Sequence, residues 1–334
     1  MLKKRFLTIF LIFSSITLII SGCGSNSDTS SKTIRFGNIY NEDTTYGKAI
    51  NKMADDIEEM SDGTLEVEIF HEGSLGGEDE EIQALHDGSL EMMETGTAGI
   101  GTYVPETSVF ELWYNLEGLD TLKGSFEDLQ DDLDERYQED GFKLLGAYYD
   151  GPRNIISTKK VEDFDDLKGL KFRVPDSTLY VKMAEALNTN ASTMPLGDVY
   201  TSLQSGTIDA MEGTPDSILN EKFYEPSEYL IQDEHVFQPL SIIYNLDAWE
   251  DLSEEEQDII EEAVQKSSEY HLSITEEAND EALDELEEEG IELIDVTDKD
   301  KWKESVDKAN QEYAEEQGKL GEKILDSMQN QNNN

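Results

Sequence analysis

Residues 202–212 read SLQSGTIDAME, and residues 84–94 read ALHDGSLEMME. In both stretches the pattern predicts the end of a helix, a glycine cap and a short strand that finishes in glutamate. A Leu-Gly pair precedes each of them, at Leu75-Gly76 and Leu196-Gly197. Convergence of a common helix-to-strand turn accounts for part of the match. The simpler interpretation is that the chain builds two similar α/β lobes.

Hydrophobic periodicity around the two repeats extends this interpretation. It predicts strands at 33–38, 65–69, 90–94, 171–174 and 208–212, separated by helices. The β-α-β order predicts parallel strands with right-handed crossovers. The last third reads as helical, with a short strand at 291–296 and a final helix over 301–328. We therefore expect an α/β, two-lobed, periplasmic-binding-protein-like architecture with long C-terminal helices. Ligands bind beyond the carboxyl ends of such strands, which predicts a cleft between the lobes.

The first 32 residues precede the predicted fold. Three basic residues (Lys3 to Arg5) lead into Phe6–Ile20, which carries no charge and is shorter than the ~20 residues of a membrane span. It ends in Ser21-Gly22-Cys23, which resembles a bacterial lipobox. The sequence thus predicts a lipoprotein signal peptide at 1–22, lipidation of Cys23 and a flexible tether at 23–32. The alternative is an ordinary signal peptide with an incidental cysteine.

The charge of the chain is extreme. It has 76 acidic against 25 basic residues, for a net charge of -51, and loss of the three basic leader residues would bring this to -54. Nucleic acid and anionic membrane surfaces are poor partners for such a protein. Acidity spread along the whole chain suits concentrated salt, which screens self-repulsion. We expect a saline habitat, although a merely acidic secreted protein has the same signature.

Three stretches resemble the periplasmic binding subunits of TRAP transporters, the DctP-like family. They are Gly73–Glu78 with Gly88–Met92, Gly151–Asn154 with Leu167–Pro175, and the continuous segment Met194–Asp209. The resemblance covers nearly all of the mature chain. It implies an extracytoplasmic protein without enzyme activity. We expect a monomer with neither a cofactor nor a metal site of its own, while the sequence leaves open whether a metal ion bridges protein and ligand. Such a protein delivers a small organic acid, for example a C4-dicarboxylate or a sugar acid, to a permease driven by an ion gradient.

The resemblance also implies a division of the chain between the lobes. Lobe I is expected to contain residues 33–150 and 239–278, and lobe II residues 151–238 and 279–328. Residues 329–334 are polar and are expected to form a disordered tail.

Arg173 is the principal candidate for the ligand site. It ends a predicted strand, and a guanidinium can hold a carboxylate through two parallel hydrogen bonds. In the family the arginine of this Arg-Val-Pro motif pairs with the substrate carboxylate. The alternative is a structural salt bridge to one of the 76 acids. Arg153 lies where many members have a second pocket arginine, although Pro152 departs from the usual aromatic residue.

Further candidates follow from the same resemblance. Glu212 is expected to accept a hydrogen bond from the ligand or to position an arginine; the alternative is an N-cap or turn role. Gly213 replaces an asparagine that often contacts the carboxylate, so Thr214 is expected to supply a hydroxyl instead. Trp113 reads as either a cleft residue or buried core. The remaining candidates occupy loop positions that face the cleft in relatives, with an exposed polar residue as the alternative: Tyr40, Glu78, Thr97, Tyr148 and Asp176.

Two other functions remain open at this point. An acidic secreted hydrolase is one, but the four histidines show neither metal spacing nor a metalloprotease motif, and no nucleophile-elbow motif is present. A binding protein that feeds a receptor is the other. The same two lobes serve a receptor and a transporter, so the sequence does not separate these two functions.

Overall fold

Two sheets organise the part of the chain that the computed structural model describes, residues 31–332. In chain order the elements are β1 (Lys32–Gly37), α1 (Thr45–Met60), β2 (Leu65–Phe70), α2 (Glu78–His86), β3 (Met92–Gly96), α3 (Leu119–Glu127), α4 (Gln130–Glu139), β4 (Phe142–Tyr149), β5 (Arg153–Ser157), β6 (Lys171–Val174), α5 (Thr178–Ala186), β7 (Asn190–Thr193), α6 (Val199–Gln204), β8 (Ala210–Gly213), α7 (Pro215–Asn220), β9 (Tyr229–Val236), β10 (Pro239–Asn245), α8 (Leu246–Glu250), α9 (Glu254–Glu288), β11 (Glu292–Asp295), α10 (Lys299–Glu316) and α11 (Gly318–Asn332). Short 3₁₀ helices include Pro105–Glu111 and Phe164–Leu167.

The first sheet has the strand order β2-β1-β3-β10-β4. Strand β1 pairs in parallel with β2 and β3, as the sequence predicted, whereas β10 runs antiparallel to β3 and β4. Helix α1 is capped by Thr44, whose hydroxyl accepts a hydrogen bond from the Gly47 N–H. Ile50, Met53 and Ile57 are fully buried on its inner face, which matches their helical spacing.

The second sheet has the order β11-β9-β5-β8-β6-β7. Strand β6 is parallel to β7 and β8, which continues the repeat seen in the sequence. Strand β5 is antiparallel to β8 and β9. The predicted α/β class with long C-terminal helices is confirmed.

The chain crosses between the sheets three times. Residues 150–152 join β4 to β5, and residues 237–238 join β9 to β10. These two crossovers lie side by side, because the Asp150 N–H donates to the Gln238 carbonyl at 2.9 Å. The third crossing is α9, which contacts α1 and β4 at Ser267 and α7 at Asn279.

The C-terminal region differs from the sequence prediction. The single helix expected over 301–328 is two helices, α10 and α11, separated at Gln317 because Gly318 has a φ of +66°. Helix α11 then continues to Asn332, although a disordered tail was expected from residue 329. It packs on α3 and on Pro105–Glu111, which lie in the stretch expected to form lobe I.

The predicted signal peptide, Cys23 and nearly all of the tether lie outside the described residues. In residues 31–332, no helix combines the length and the apolar character needed to cross a membrane.

A polar cleft between the two sheets as candidate functional site

A cavity of about 250 Å³ opens between the two sheets. Its wall contains Tyr40 after β1, Ala98 after β3, Arg173 near the end of β6, Met194 after β7 and Glu212 near the end of β8. These positions follow the carboxyl ends of parallel strands, where ligands bind in open α/β sheets. The cleft is therefore where the sequence predicted it.

Arg173 is a buried cation without a carboxylate partner. The residue is 4% exposed, and its Nε and Nη2 both donate to the carbonyl of Met194, at 3.0 and 2.8 Å. Within residues 31–332 no ion pair joins it to an acid, and burial lowers the pKa of the guanidinium from its ordinary value. A buried charge is costly unless it is paired, so this position favours an anion from outside the chain.

Arg153 is already paired. Its guanidinium binds both carboxylate oxygens of Glu212, through Nε to Oε2 and through Nη2 to Oε1 at 3.0 Å. Burial acts to raise the pKa of Glu212, but Arg153 and His235 outweigh it and hold that pKa well below its usual range. The pair is consistent with the interpretation that Glu212 positions an arginine.

His235 lies behind this pair and is completely buried. Its Nδ1 is 2.9 Å from Asp233 Oδ2, and its Nε2 is 3.6 Å from Glu212 Oε2. Burial lowers the pKa of the imidazole, but these two carboxylates raise it to about 8. The protonated ring thus places a second positive charge beside Glu212 at neutral pH.

A second buried network, which sequence reasoning missed, adjoins the first. Glu111 Oε2 accepts hydrogen bonds from the Tyr180 hydroxyl at 2.7 Å and from the Gln238 amide at 2.9 Å. The Gln238 Oε1 accepts in turn from Arg153 Nη1 at 2.8 Å. Burial raises the pKa of Glu111 to about 7, against the opposing effect of hydrogen bonds from Tyr180 and Thr97.

The cleft wall also contains carboxylates, which lie among apolar and neutral polar residues. Glu78 lines it and accepts from the Thr95 hydroxyl at 2.7 Å. Asp79 lies in the first turn of α2, and Asp176, which follows β6, is close to it. Burial and the neighbouring Asp176 carboxylate raise the pKa of Asp79 to about 6. The only cations among the described residues that line the cleft are Arg153 and Arg173.

Six of the predicted ligand-binding residues line the cleft, namely Arg173, Arg153, Glu212, Tyr40, Glu78 and Asp176. The other four lie elsewhere. Thr214 caps α7, where its hydroxyl accepts from the Ser217 N–H.

The remaining three are buried behind the cavity. Trp113 is packed in the core against Tyr180 and His235, with ring centroids 5.7 and 4.4 Å away. Thr97 donates its hydroxyl to Glu111 at 2.7 Å, and the Tyr148 hydroxyl is 2.7 Å from Ser267 Oγ. None of these three lines the cavity; Trp113 contacts the wall residue Tyr180, whereas Tyr148 packs in the core beside α9. Within the described residues, no group of three or more His, Cys, Asp or Glu side chains is arranged to hold a metal ion.

Comparison with known proteins places the chain among binding proteins. Residues 36–332 match the model of the DctP family, described as bacterial extracellular solute-binding protein, family 7. A C4-dicarboxylate-binding protein of Bacillus subtilis is 26% identical over 284 residues, which are 84% of this chain and 81% of that protein.

Two solved structures are also similar. The sugar acid binding protein of Advenella mimigardefordensis in complex with galactonate is 27% identical, with a TM-score of 0.87 over 90% of this chain and 99% of that one. A TRAP periplasmic solute-binding protein of Chromohalobacter salexigens with bound D-glucuronate is 26% identical, with a TM-score of 0.84 over 89% and 99% of the two chains.

Proposed function

This chain belongs to family 7 of the bacterial extracellular solute-binding proteins, and from that premise we propose that it captures a hydroxylated monocarboxylic acid and delivers it to a TRAP permease. The observation that carries the proposal is Arg173, a guanidinium 4% exposed at the cleft with only the Met194 carbonyl as a hydrogen-bond partner among the described residues. A ligand carboxylate would supply the missing negative charge, held by two parallel hydrogen bonds.

The charges of the cleft favour one carboxylate over two. Arg153 is neutralised by Glu212, so Arg173 is the single cation left for a ligand among the described residues of the cleft wall. A second carboxylate would face Glu78, Asp79 and Asp176 with no cation to pair with it. The same three carboxylates are suitable acceptors for ligand hydroxyls. Of the two ligand classes that the resemblance implies, a sugar acid therefore fits better than a C4-dicarboxylate.

Matched ligands and variants test this proposal. D-glucuronate has one carboxylate, whereas D-glucarate has two on a similar six-carbon skeleton. We expect calorimetry to show D-glucuronate binding and at least tenfold weaker binding of D-glucarate. Arg173→Gln should weaken D-glucuronate binding about 10- to 150-fold, because a hydrogen bond to a charged group contributes about 1.5–3 kcal/mol. Arg173→Lys should also weaken it, because an ammonium group lacks the planar fork.

A charge-matched control separates the cleft from the overall field of the protein. Arg35 lies on β1 and pairs with Glu91 at the protein surface. Arg35→Gln removes the same charge and should leave the affinity within about twofold. Equal losses in the two variants, or tighter binding of D-glucarate than of D-glucuronate, would contradict the proposed site and ligand class.

The permease, the anchor and the absence of turnover belong to the same proposal. We propose a monomer attached through lipidated Cys23 to the outer face of the cytoplasmic membrane. Uptake of radiolabelled ligand should require both this protein and a TRAP permease, which distinguishes transport from delivery to a receptor. Ligand recovered chemically unchanged after long incubation would separate a binding protein from a hydrolase.

A further inference from the structure

Gln238 lies where the chain pivots between the two sheets. It belongs to the crossover of residues 237–238 that joins β9 of the second sheet to β10 of the first. Its backbone carbonyl accepts from the Asp150 N–H in the adjacent crossover. The residue is 7% exposed, and its side chain lines the ligand cleft. One side chain therefore touches both the pivot and the cavity.

The side-chain amide of Gln238 joins two buried groups of opposite charge. Its Oε1 accepts from Arg153 Nη1 at 2.8 Å, and its Nε2 donates to Glu111 Oε2 at 2.9 Å. Glu111 is fixed to the end of β3, because Oε1 accepts from the Ala98 N–H at 2.6 Å and from the Thr97 hydroxyl at 2.7 Å.

At the other end of the amide, Arg153 is fixed to Glu212 on β8. One amide thus connects the end of β3 in the first sheet to the end of β8 in the second.

Gly96 provides independent support for this placement. A Cβ atom at Gly96 would lie only 2.4 Å from Gln238 Nε2, closer than real Cβ contacts occur. The backbone of Gly96 is not in the left-handed region that favours glycine. Any larger residue at the last position of β3 would therefore have to displace the Gln238 amide.

We propose that Gln238 is a positioning residue, which couples the angle between the two sheets to the placement of Arg153 on the cleft wall and so sets the affinity for the ligand. Both bonds of the amide form at one interlobe angle only. A rotation about the crossovers that separates the end of β3 from the end of β8 must break one of them. This inference rests on the proposed function for its ligand and goes beyond it in assigning the coupling to Gln238.

The first experiment needs no ligand. In a full-length Cys23→Ser background, spin labels at Asp55→Cys on α1 and Glu185→Cys on α5 report the distance between elements packed on the two sheets. We expect pulsed dipolar spectroscopy to give one narrow distribution for the otherwise unchanged chain and a broader one for Gln238→Leu. Gly96→Ala should broaden it in the same way, but should add little in a Gln238→Ala background, because the added methyl group then meets no amide. Superimposable distributions in all variants would overturn the proposal.

The second experiment uses a charge exchange, with D-glucuronate as the probe in calorimetry. Gln238→Leu should bind about tenfold more weakly at every pH. In Gln238→Glu the introduced carboxylate faces Glu111, whose pKa is raised to about 7 by burial. Below this pH, Glu111 is protonated and donates to the introduced carboxylate, so binding should approach that of the wild type at pH 6 and weaken about tenfold at pH 9.

The double variant Gln238→Glu with Glu111→Gln places the amide at position 111 and the carboxylate at position 238. The hydrogen bond between the two side chains can then form again, with donor and acceptor exchanged. His235, whose pKa is raised to about 8, and Asp150, whose pKa is raised to about 7, also titrate in this range, so each affinity is divided by that of the wild type at the same pH. This ratio should recover in the double variant and lose its pH dependence. A purely structural role for Gln238 predicts the same ratio at pH 6 and 9 in Gln238→Glu, which would overturn the proposal. A wild-type protein that fails to bind D-glucuronate contradicts the proposed ligand class, whereas the ligand-free distances still decide the role of Gln238.

Discussion

Glu81→Gln should stabilise the protein, and the gain should depend on pH. Glu81 is on α2, is 0% exposed, and neither of its carboxylate oxygens has a hydrogen-bond partner among the described residues. One of these oxygens is 2.7 Å from where a Cβ atom at Gly37 would lie, so the side chain is tightly enclosed. Burial, with a smaller effect from the Glu78 carboxylate, raises the pKa of Glu81 to about 8.

The sign and size of the effect follow from proton linkage. The unfolded chain ionises near the ordinary glutamate pKa of ~4.3, whereas the folded protein keeps Glu81 neutral up to about pH 8. The contribution of this group to stability is therefore fully present below about pH 4 and is lost as the pH rises through 8. Each pKa unit corresponds to ~1.4 kcal/mol, so the loss reaches about 4–5 kcal/mol at pH 8. Glutamine has nearly the same shape and no charge to bury.

Urea unfolding followed by circular dichroism at pH 4.5, 6 and 8 measures this effect, in molar salt so that overall charge repulsion is screened. We expect Glu81→Gln to be about 4 kcal/mol more stable than the wild type at pH 8, and to approach it at pH 4.5. Glu135→Gln removes the same charge from an exposed position on α4 and should change little at any pH. A gain that is independent of pH, or equal to the control, would refute the reasoning from burial.

Two other predictions concern residues singled out in the sequence. Wild-type protein should incorporate labelled fatty acid and sediment with membranes, and Cys23→Ala should lose both properties; an unmodified, soluble wild type would contradict the anchor. Thr214→Ala should cost about 1 kcal/mol of unfolding free energy in a denaturant titration, because it removes the N-cap of α7. Its affinity for D-glucuronate should stay within about twofold, and a large loss of affinity would mean that Thr214 reaches the ligand.

Strands β1, β2, β3, β6 and β8 were predictable because they adjoin helices with clear periodicity. Strand β7, which is parallel to β6, was missed, because its residues Asn190–Thr193 are mostly polar and show no alternation. Strand β2 alternates between buried and more exposed positions, and α1 buries one face. The antiparallel strands were missed for a physical reason. All seven residues of β10 are buried, and so are all five of β5. Strands covered on both faces show no alternation, and short apolar runs do not by themselves distinguish a strand from a buried helix.

Aromatic and hydroxyl residues near the site could not be assigned from sequence. Trp113 follows the 3₁₀ helix Pro105–Glu111 and Tyr148 lies on β4, and both are completely buried in the core. A large aromatic side chain stabilises a core and a ligand cavity through the same contacts. The residue type therefore predicts that the ring is buried. It does not predict whether the ring faces the ligand cavity or packs in the core behind it.

One residue in the sequence indicated the buried polar network, namely an acid inside an apolar run. Because the chain contains 76 acidic residues, a single acid in such a run did not stand out. Glu111 stands in the apolar run Val109-Phe110-Glu111-Leu112-Trp113, and a buried charge requires partners. Those partners, Tyr180 and Gln238, are 69 and 127 residues away, so no local pattern connects them.

The two arginines of the cleft show the same limit. With 76 acids in the chain, the sequence offered many carboxylates to either arginine, and a structural salt bridge was a serious alternative for both. The structure separates them, because Arg153 binds Glu212 while Arg173 reaches only the Met194 carbonyl among the described residues. Their sequence contexts predict two cations at one cavity. Which of them remains available for an anion depends on the position of Glu212 at the end of β8, and that is a property of the folded chain alone.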